Sequence, residues 1–140
     1  MRYWIGVASR DHVQRGMAGG FCQLGHGKAA PLRRLTEGDG IIFYSPRTLL
    51  DGGMPVQAFT ALGTVEGESY PFDAGGGFVH FRRNVKYEKS EDVSIRSLTD
   101  RLSFTRDNPN WGALMRRGFF EISKADFDII SAAMTAPKET

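Results

Sequence analysis

The most distinctive arrangement of chemically capable residues in this 140-residue chain is a glycine-rich stretch in its first quarter, Gly25-His26-Gly27-Lys28. Backbone amides and a lysine in such a loop can hold a phosphate group. The phosphate-loop motif also requires a glycine where Cys22 stands, a serine or threonine where Ala29 stands, and a long helix afterwards. We therefore do not expect this chain to hydrolyse nucleotides.

Other residues that could bind a metal or attack a substrate are too scattered to form a recognisable site. The histidines His12, His26 and His80 lie on different predicted elements and lack the close spacing of zinc ligands. Cys22 is the only cysteine, and no adjacent base or helix start is evident that would lower its pKa. The probable loops hold no paired carboxylates for acid and base catalysis. The sequence predicts no metal, no cofactor and no catalytic residue.

Aromatic side chains near the ends of predicted elements are accompanied by basic side chains on neighbouring segments. The aromatic residues are Phe21, Tyr44 and Trp111, and the basic residues are Arg10, Arg15, Lys28 and Arg47. A flat ring stacks on a nucleobase with a gain of about 1–3 kcal/mol, and basic side chains neutralise phosphates. This combination favours nucleic acid as the partner. The alternative, that the rings are part of the core, is the more common environment for Phe21 and Tyr44 taken singly.

Composition and charge fit a single domain spanning residues 1–140. The chain is 41% hydrophobic and 24% charged, and no apolar stretch approaches the roughly 20 residues needed to cross a membrane. The N-terminus shows no export signal, and a lone cysteine suits a reducing compartment, so we expect a cytoplasmic protein. The net charge is only +2 but is uneven. Residues 1–34 contain one acid, Asp11, and the basic residues Arg2, Arg10, Arg15, Lys28, Arg33 and Arg34.

The elements that must position these residues are mostly short. We predict strands over residues 3–8, 41–44, 57–66, 78–88 and 119–122 from their apolar runs and period-two patterns. Short helices are predicted over residues 9–16 and 31–35, and a final helix follows the capping pair Ser123 and Asp126. Residues 47–55 and 67–77 are expected to be loops. The strands lie too close together for a βαβ series, so the prediction is an α+β domain with a mixed or closed sheet.

Several short motifs occur in an order that resembles the EVE domain family. They are Tyr3-Trp4-Ile5, Gly20-Phe21-Cys22-Gln23, His26-Gly27-Lys28, Pro31-Leu32, Gly38-Asp39, Tyr44-Ser45-Pro46, Gln57-Ala58-Phe59, Arg82-Arg83-Asn84-Val85, Leu102-Ser103-Phe104, Asn110-Trp111-Gly112 and Phe120-Glu121-Ile122. The resemblance covers nearly the whole chain. It implies a PUA-like fold, a compact and mostly antiparallel β-barrel with short peripheral helices and a C-terminal helix, related to YTH and ASCH domains.

The resemblance also implies a function, since YTH domains bind a methylated adenine of RNA in an aromatic cage. It implies a non-catalytic reader of a modified base in DNA or RNA, the base being flipped into a pocket. The residues that match the family's pocket are Phe21, Gln23, His26, Tyr44, Ser45 and Trp111, and those expected to hold phosphates are Arg10, Arg15 and Lys28. Phe21 stands where many relatives have tryptophan, which implies a differently shaped cage.

Two alternatives of other classes remain open from the sequence. Related ASCH domains suggest a hydrolase of modified nucleosides, for which Lys28, Thr36 and Glu37 would supply the reacting groups, although their position before Gly38 favours a helix end and turn. A protein-interaction module would use the loops 47–55 and 67–77 as contact surfaces. Both loops are rich in glycine, and residues 47–55 lack large aromatic anchors.

Overall fold

The computed structural model describes residues 1–24, 27–73, 75–77 and 79–137. Seven strands and five α-helices are arranged along the described chain, with a 3-10 turn at Ile95–Ser97. In order they are β1 Tyr3–Val7, α1 Arg10–Gly19, β2 Phe21–Cys22, α2 Ala29–Arg33, β3 Gly40–Arg47, β4 Pro55–Asp73, β5 Val79–Tyr87, β6 Val93–Ser94, α3 Ser103–Arg106, α4 Trp111–Met115, β7 Phe119–Ile122 and α5 Lys124–Thr135. The described helices include none long and apolar enough to cross a membrane.

The strands form one mixed sheet in the order β2-β5-β4-β3-β1-β7, with β6 paired to β4 outside this path. Only β1 and β3 run parallel, and every other described pairing is antiparallel. This confirms a mostly antiparallel α+β fold with short helices and a C-terminal helix. The sheet differs from the expected barrel, because the pairing of described strands runs as an open path from β2 to β7.

Both faces of the central strands are buried, since side chains alternate between the faces along each strand. On β3, Ile42 and Tyr44 belong to a first core cluster, whereas Ile41 and Phe43 belong to a second. The first cluster is completed by residues of α4 and α5, and the second by residues of α1 and α2. This two-sided burial explains why β3 is a continuous apolar run in the sequence.

Among the strands, two boundaries differ clearly from the sequence prediction. The strand predicted to stop at Ser45 continues through Pro46 to Arg47, because Ser45 and Arg47 still pair with β4. Most of the loop expected at residues 67–77 is strand, since Gly67–Asp73 forms the end of β4. There β4 and β5 pair as a ribbon whose β4 residues are exposed or only half-buried, so no apolar alternation marks them in the sequence.

The two long helices begin at the predicted serine caps, but α1 is longer than predicted, because it continues past Gly16 to Gly19. Ser9 caps α1 by accepting a hydrogen bond from the His12 amide, and Ser123 caps α5 by accepting one from the Asp126 amide. The left-handed Gly20, with φ of +73°, ends α1 and turns the chain into β2. Because Ser9 caps it, helix α1 starts shortly after β1, at one end of the central sheet.

Candidate functional site

A cavity of about 200 Å³ lies where β1 ends and α1 begins. The end of β1 is fixed on both sides, because the Val7 amide donates to the Gly118 carbonyl at 2.9 Å and the Ala8 amide donates to the Tyr44 carbonyl at 3.1 Å. The lining residues are Val7, Ala8, Ser9, Asp11, His12, Arg15, Gln23, Gly27, Leu50 and Gly118. Four separate chain segments therefore converge on it, namely residues 7–15, the segment that contains Gln23 and Gly27, Leu50 and Gly118.

His12 is the titratable ring among these lining residues. Burial lowers the pKa of His12 below its ordinary value, and the charge of Arg15 lowers it further. A hydrogen bond with the backbone of Gln23 and the charge of Asp11 oppose this but do not reverse it. At neutral pH the imidazole is therefore uncharged, with one nitrogen as a donor and the other as an acceptor.

Gly27 and Gln23 also line the cavity, and Gly27 is hydrogen-bonded to β5. The Gly27 amide donates to the Leu24 carbonyl at 3.1 Å, and its carbonyl accepts from the Phe81 amide at 2.8 Å. Gly27 has φ of +82°, and a Cβ atom at this position would collide with the imidazole of His80. Glycine is therefore required here both for the backbone conformation and for the close approach of His80.

Leu50 brings a further segment to the cavity, residues 48–54, which we call the rim loop. Thr48 and Met54 close it, because the Thr48 amide donates to the Met54 carbonyl and the Met54 amide donates to the Thr48 hydroxyl, both at 2.9 Å. The rim loop is joined to α1 by a 3.0 Å hydrogen bond from the Asp11 amide to the Thr48 carbonyl. These contacts place Leu50 at the cavity.

Of the residues predicted from sequence to form a base pocket, Gln23 lines this cavity. Arg15, predicted to hold a phosphate, also lines it. His26 lies outside the described residues. The other four, Phe21, Tyr44, Ser45 and Trp111, are not among the residues that line the cavity.

Each of these four has its own packing environment. Tyr44 is 3% exposed and meets Phe59 edge to face, with ring centres 5.7 Å apart. Ser45 is fully buried and shares a 2.7 Å hydrogen bond with the Thr60 hydroxyl. Trp111 is half-buried against the first core cluster, and Phe21 is half-buried at the edge strand β2. Whether any of the four contacts a ligand stays a prediction.

The predicted phosphate-binding residues differ in whether their side chains already form ion pairs. Arg10 forms an ion pair with Asp92, and Arg15 forms one with Asp11 at 3.1 Å. The Arg15 side chain is largely exposed, so this pair is weak and can exchange for a phosphate. Lys28 is exposed at the residue preceding α2.

Two other depressions formed by the described residues are markedly larger but chemically less suited to a small ligand. One of about 470 Å³ is lined mostly by charged and polar side chains, among them Arg33, Glu37 and Glu68. Another of about 320 Å³ contains Asp126, whose carboxylate already accepts hydrogen bonds from the amide and hydroxyl of Ser103. The cavity beside α1 instead combines apolar walls with a few polar groups, which is usual for ligand pockets.

The residues considered for hydrolysis are engaged in local structure. The Thr36 amide donates to Asp39 at 2.9 Å, and the Glu37 carboxylate accepts from the Gly67 amide at 3.2 Å. Thr36 and Glu37 line the 470 Å³ depression, and Lys28 is not in that lining. In the described ranges, no three His, Cys, Asp or Glu side chains are grouped as metal ligands.

Eight of the ten lining residues were not predicted as site residues, among them Ser9, His12, Leu50 and Gly118. Ser9 had a detectable signal, because it was recognisable as the cap of a helix that follows a buried strand. Leu50 had none, since a leucine in a polar loop gives no indication of its neighbours.

Comparison with known proteins gives both sequence and structural relatives. The family model described as the EVE domain matches residues 2–133. The chain is 52% identical over 139 residues to a UPF0310 protein of Mesorhizobium japonicum, covering 97% of this chain and 93% of that one. It is 44% identical over 133 residues to the UPF0310 protein YdcG of Bacillus subtilis, covering 94% and 91%.

Solved structures share the fold at low sequence identity. The YTH domain of the Zygosaccharomyces rouxii MRB1 protein, solved in complex with N6-methyladenosine RNA, aligns with a TM-score of 0.65 at 15% identity. That alignment covers 98% of this chain and 89% of the YTH chain. A protein of Agrobacterium tumefaciens aligns with a TM-score of 0.61 at 12% identity, covering 98% and 97%. The chain thus has an overall fold shared with YTH domains.

Proposed function

The chain belongs to the EVE domain family, and we propose that it is a non-catalytic, single-domain reader of a modified nucleobase in DNA or RNA. The observation that carries the proposal is the cavity beside α1, where polar groups of Ser9, His12 and Gln23 converge within apolar walls. Its fold is shared with a YTH domain that was solved with N6-methyladenosine RNA. This likeness supports nucleic acid as the partner.

The size of the cavity favours one base as its occupant. Pockets for drug-sized molecules measure roughly 300–1,000 Å³, and this one measures about 200 Å³. A base within a strand reaches such a pocket only by leaving the stack. The loss of stacking is then offset by contacts in the pocket, and a base already modified or unpaired costs less to flip.

The polar lining provides hydrogen bonds of both kinds for the edge of a base. The neutral His12 ring has one nitrogen that can accept a hydrogen bond, while the Gln23 amide offers a donor and an acceptor. Val7 and Ala8 supply apolar surface for a methyl group or the face of the base. We propose that Gln23 and His12 read the base edge, and that Phe21, Tyr44, Ser45 and His26 contribute to the pocket when it is occupied. Trp111, which packs against the first core cluster, is proposed to act in folding instead.

The phosphates flanking a flipped base would meet basic groups near the cavity. Arg15 lines the cavity, Arg10 is the first residue of α1, and Lys28 is adjacent in sequence to the lining residue Gly27. These three side chains are proposed to neutralise the strand without reading its sequence. Cys22 is the only cysteine of the chain, which suits the proposed location in the cytoplasm.

The test is titration of the protein with oligonucleotides that each carry one modified cytosine or adenine, in DNA and in RNA. We expect one modification to bind at least about tenfold more tightly than the unmodified strand, a difference of about 1.4 kcal/mol. Gln23→Ala should remove this preference. Equal weak binding to every member of the panel contradicts the proposal.

Two further experiments test the alternative functions, hydrolysis of modified nucleosides and protein interaction. Incubation with modified nucleosides followed by chromatography would reveal hydrolysis as new products. A protein partner captured in a pull-down and retained after nuclease treatment would favour an interaction module. The proposed reader gives neither result.

A further inference from the structure

The rim loop exposes an unusual concentration of apolar surface beside the cavity. Three of its seven residues are exposed large hydrophobic side chains, with Leu49 at 47%, Leu50 at 78% and Met54 at 69% exposure. Single exposed apolar residues are common on protein surfaces, whereas clusters of them tend to mark sites of interaction. Only Leu50 of these three is also a lining residue of the cavity.

The rim loop is held in a defined conformation while it presents Leu50. Arg47 donates from Nε to the Gly52 carbonyl at 2.8 Å and from its terminal nitrogen to the Gly53 carbonyl at 2.7 Å. Together with the two hydrogen bonds between Thr48 and Met54, these contacts close the loop on itself. Ordering Leu50 on binding therefore costs little loop entropy, which favours binding.

Leu50 is more exposed than the wall of a small pocket requires. It contacts the cavity, yet more than three quarters of its surface remains open to solvent. An apolar side chain in this position suits a second apolar surface immediately outside the pocket. In a duplex whose base has flipped out, that surface is the gap between the two neighbouring base pairs.

We propose that Leu50 is a wedge that enters the base stack of a double-stranded nucleic acid and fills the place of the base that has moved into the cavity. This inference rests on the proposed function, and it narrows the ligand to a duplex. Side chains of this type compensate for unstacking where proteins kink or open a duplex. The neighbouring Arg15 and Arg10 would hold the phosphates on either side of the opened step.

The experiment compares Leu50→Ala, Met54→Ala and the unchanged protein. The probes are DNA with one N6-methyladenine or one 5-methylcytosine, each as a single strand and as a duplex, with an N6-methyladenosine RNA duplex as a further arm. A 2-aminopurine placed next to the modified base reports unstacking by increased fluorescence. Met54 is the matched control, because it is an exposed apolar residue of the same loop that does not line the cavity.

For Leu50→Ala we expect duplex binding to weaken by about tenfold or more, as for loss of a buried leucine side chain. Its binding to the single strand should stay within about twofold, and its 2-aminopurine signal on the duplex should fall. Met54→Ala should resemble the unchanged protein. Whichever of the DNA and RNA duplexes shows this pattern identifies the nucleic acid.

Three results would overturn the wedge while leaving the reader intact. In the first, Leu50→Ala weakens the affinity for single strand and duplex equally, which would make Leu50 a wall of the pocket. In the second, Leu50→Ala and Met54→Ala have equal effects. In the third, neither substitution changes the affinity. If the unchanged protein binds neither form of any probe in preference to unmodified DNA or RNA, the proposed function itself fails and the wedge fails with it. Since Leu50 is exposed, the variant should unfold at the same temperature as the unchanged protein.

Discussion

The guanidinium carbon of Arg82 lies 3.8 Å from the centre of the Phe21 ring. The same group lies 3.5 Å from the centre of the Phe72 ring, so one cation contacts two aromatic rings. Arg82 and Phe72 belong to the ribbon formed by β4 and β5, and Phe21 belongs to the edge strand β2. The contact therefore joins the edge of the sheet to the exposed ribbon.

Replacing Arg82 should weaken this edge of the sheet. We expect Arg82→Gln to lower the free energy of unfolding by about 0.5–2 kcal/mol, the range for cation–π contacts from exposed to desolvated sites. Urea unfolding followed by circular dichroism measures the change. Lys86→Gln is the matched control, because Lys86 is an exposed basic residue on the same strand, and its effect should stay within about 0.5 kcal/mol. Equal effects of the two substitutions would mean that the ring contacts add no stability.

Local sequence patterns predicted the buried strands and the capped helices because those features depend on neighbouring residues. The exposed end of β4 was predicted as a loop, since a ribbon that leaves the core has no apolar face to mark it. The site was predicted only in part. Tyr44 follows an apolar run that indicates a strand, but its place in the first core cluster depends on residues far along the chain, such as Phe59.

Salt dependence should separate phosphate contacts from base contacts. On single strands the logarithm of affinity should fall with the logarithm of salt concentration by about 0.7 for each phosphate neutralised. Arg15→Gln or Lys28→Gln should make this slope shallower, whereas Gln23→Ala should lower the affinity for the modified base and keep the slope. Fluorescence anisotropy over a range of salt concentrations measures both quantities. A slope unchanged by either basic substitution would show that the strand lies elsewhere.

Base binding should depend on the charge of His12. Because the pKa of His12 is lowered in the folded protein, the ring stays neutral at pH 7 and gains a proton only below its ordinary pKa of about 6.5. The contribution of the neutral His12 ring to the free energy of unfolding is therefore present above that pH. It is lost as the pH falls, because the unfolded chain binds the proton more readily than the folded one. We expect affinity for the modified base to fall over the same range, as measured by titrations below pH 7. His12→Gln should be much less sensitive to pH, and an identical pH profile in that variant would exclude His12.

The thiol of Cys22 should be unreactive while the protein is folded. Burial raises the pKa of Cys22 to about 12, with the charge of Arg83 opposing the rise, so very little thiolate exists near neutral pH. Iodoacetamide at pH 8 should modify Cys22 rapidly in urea and very slowly in buffer, as followed by mass spectrometry. Since the folded chain keeps this proton longer than the unfolded chain, stability should fall as pH rises from about 9 towards 12. Cys22→Ala should reduce that loss, and rapid alkylation of the folded protein would show that Cys22 is accessible.

Substitution of Trp111 should show whether this residue acts in folding or in binding. Its ring is half-buried against the first core cluster and does not line the cavity beside α1. Trp111→Ala should therefore lower the free energy of unfolding by about 3 kcal/mol or somewhat less, since truncating a fully buried tryptophan costs about 3–5 kcal/mol.

The same variant should keep its affinity for the modified base under conditions where it remains folded. Calorimetric unfolding gives the stability, and titration at low temperature gives the affinity. Trp111→Phe is the matched control, because it keeps an aromatic ring in the core and should recover most of the stability. Trp111→Ala could instead keep the free energy of unfolding of the unchanged protein and lose about 1–3 kcal/mol of affinity for the modified base. That result would show that the Trp111 indole stacks on the base and that the pocket extends from α1 to α4.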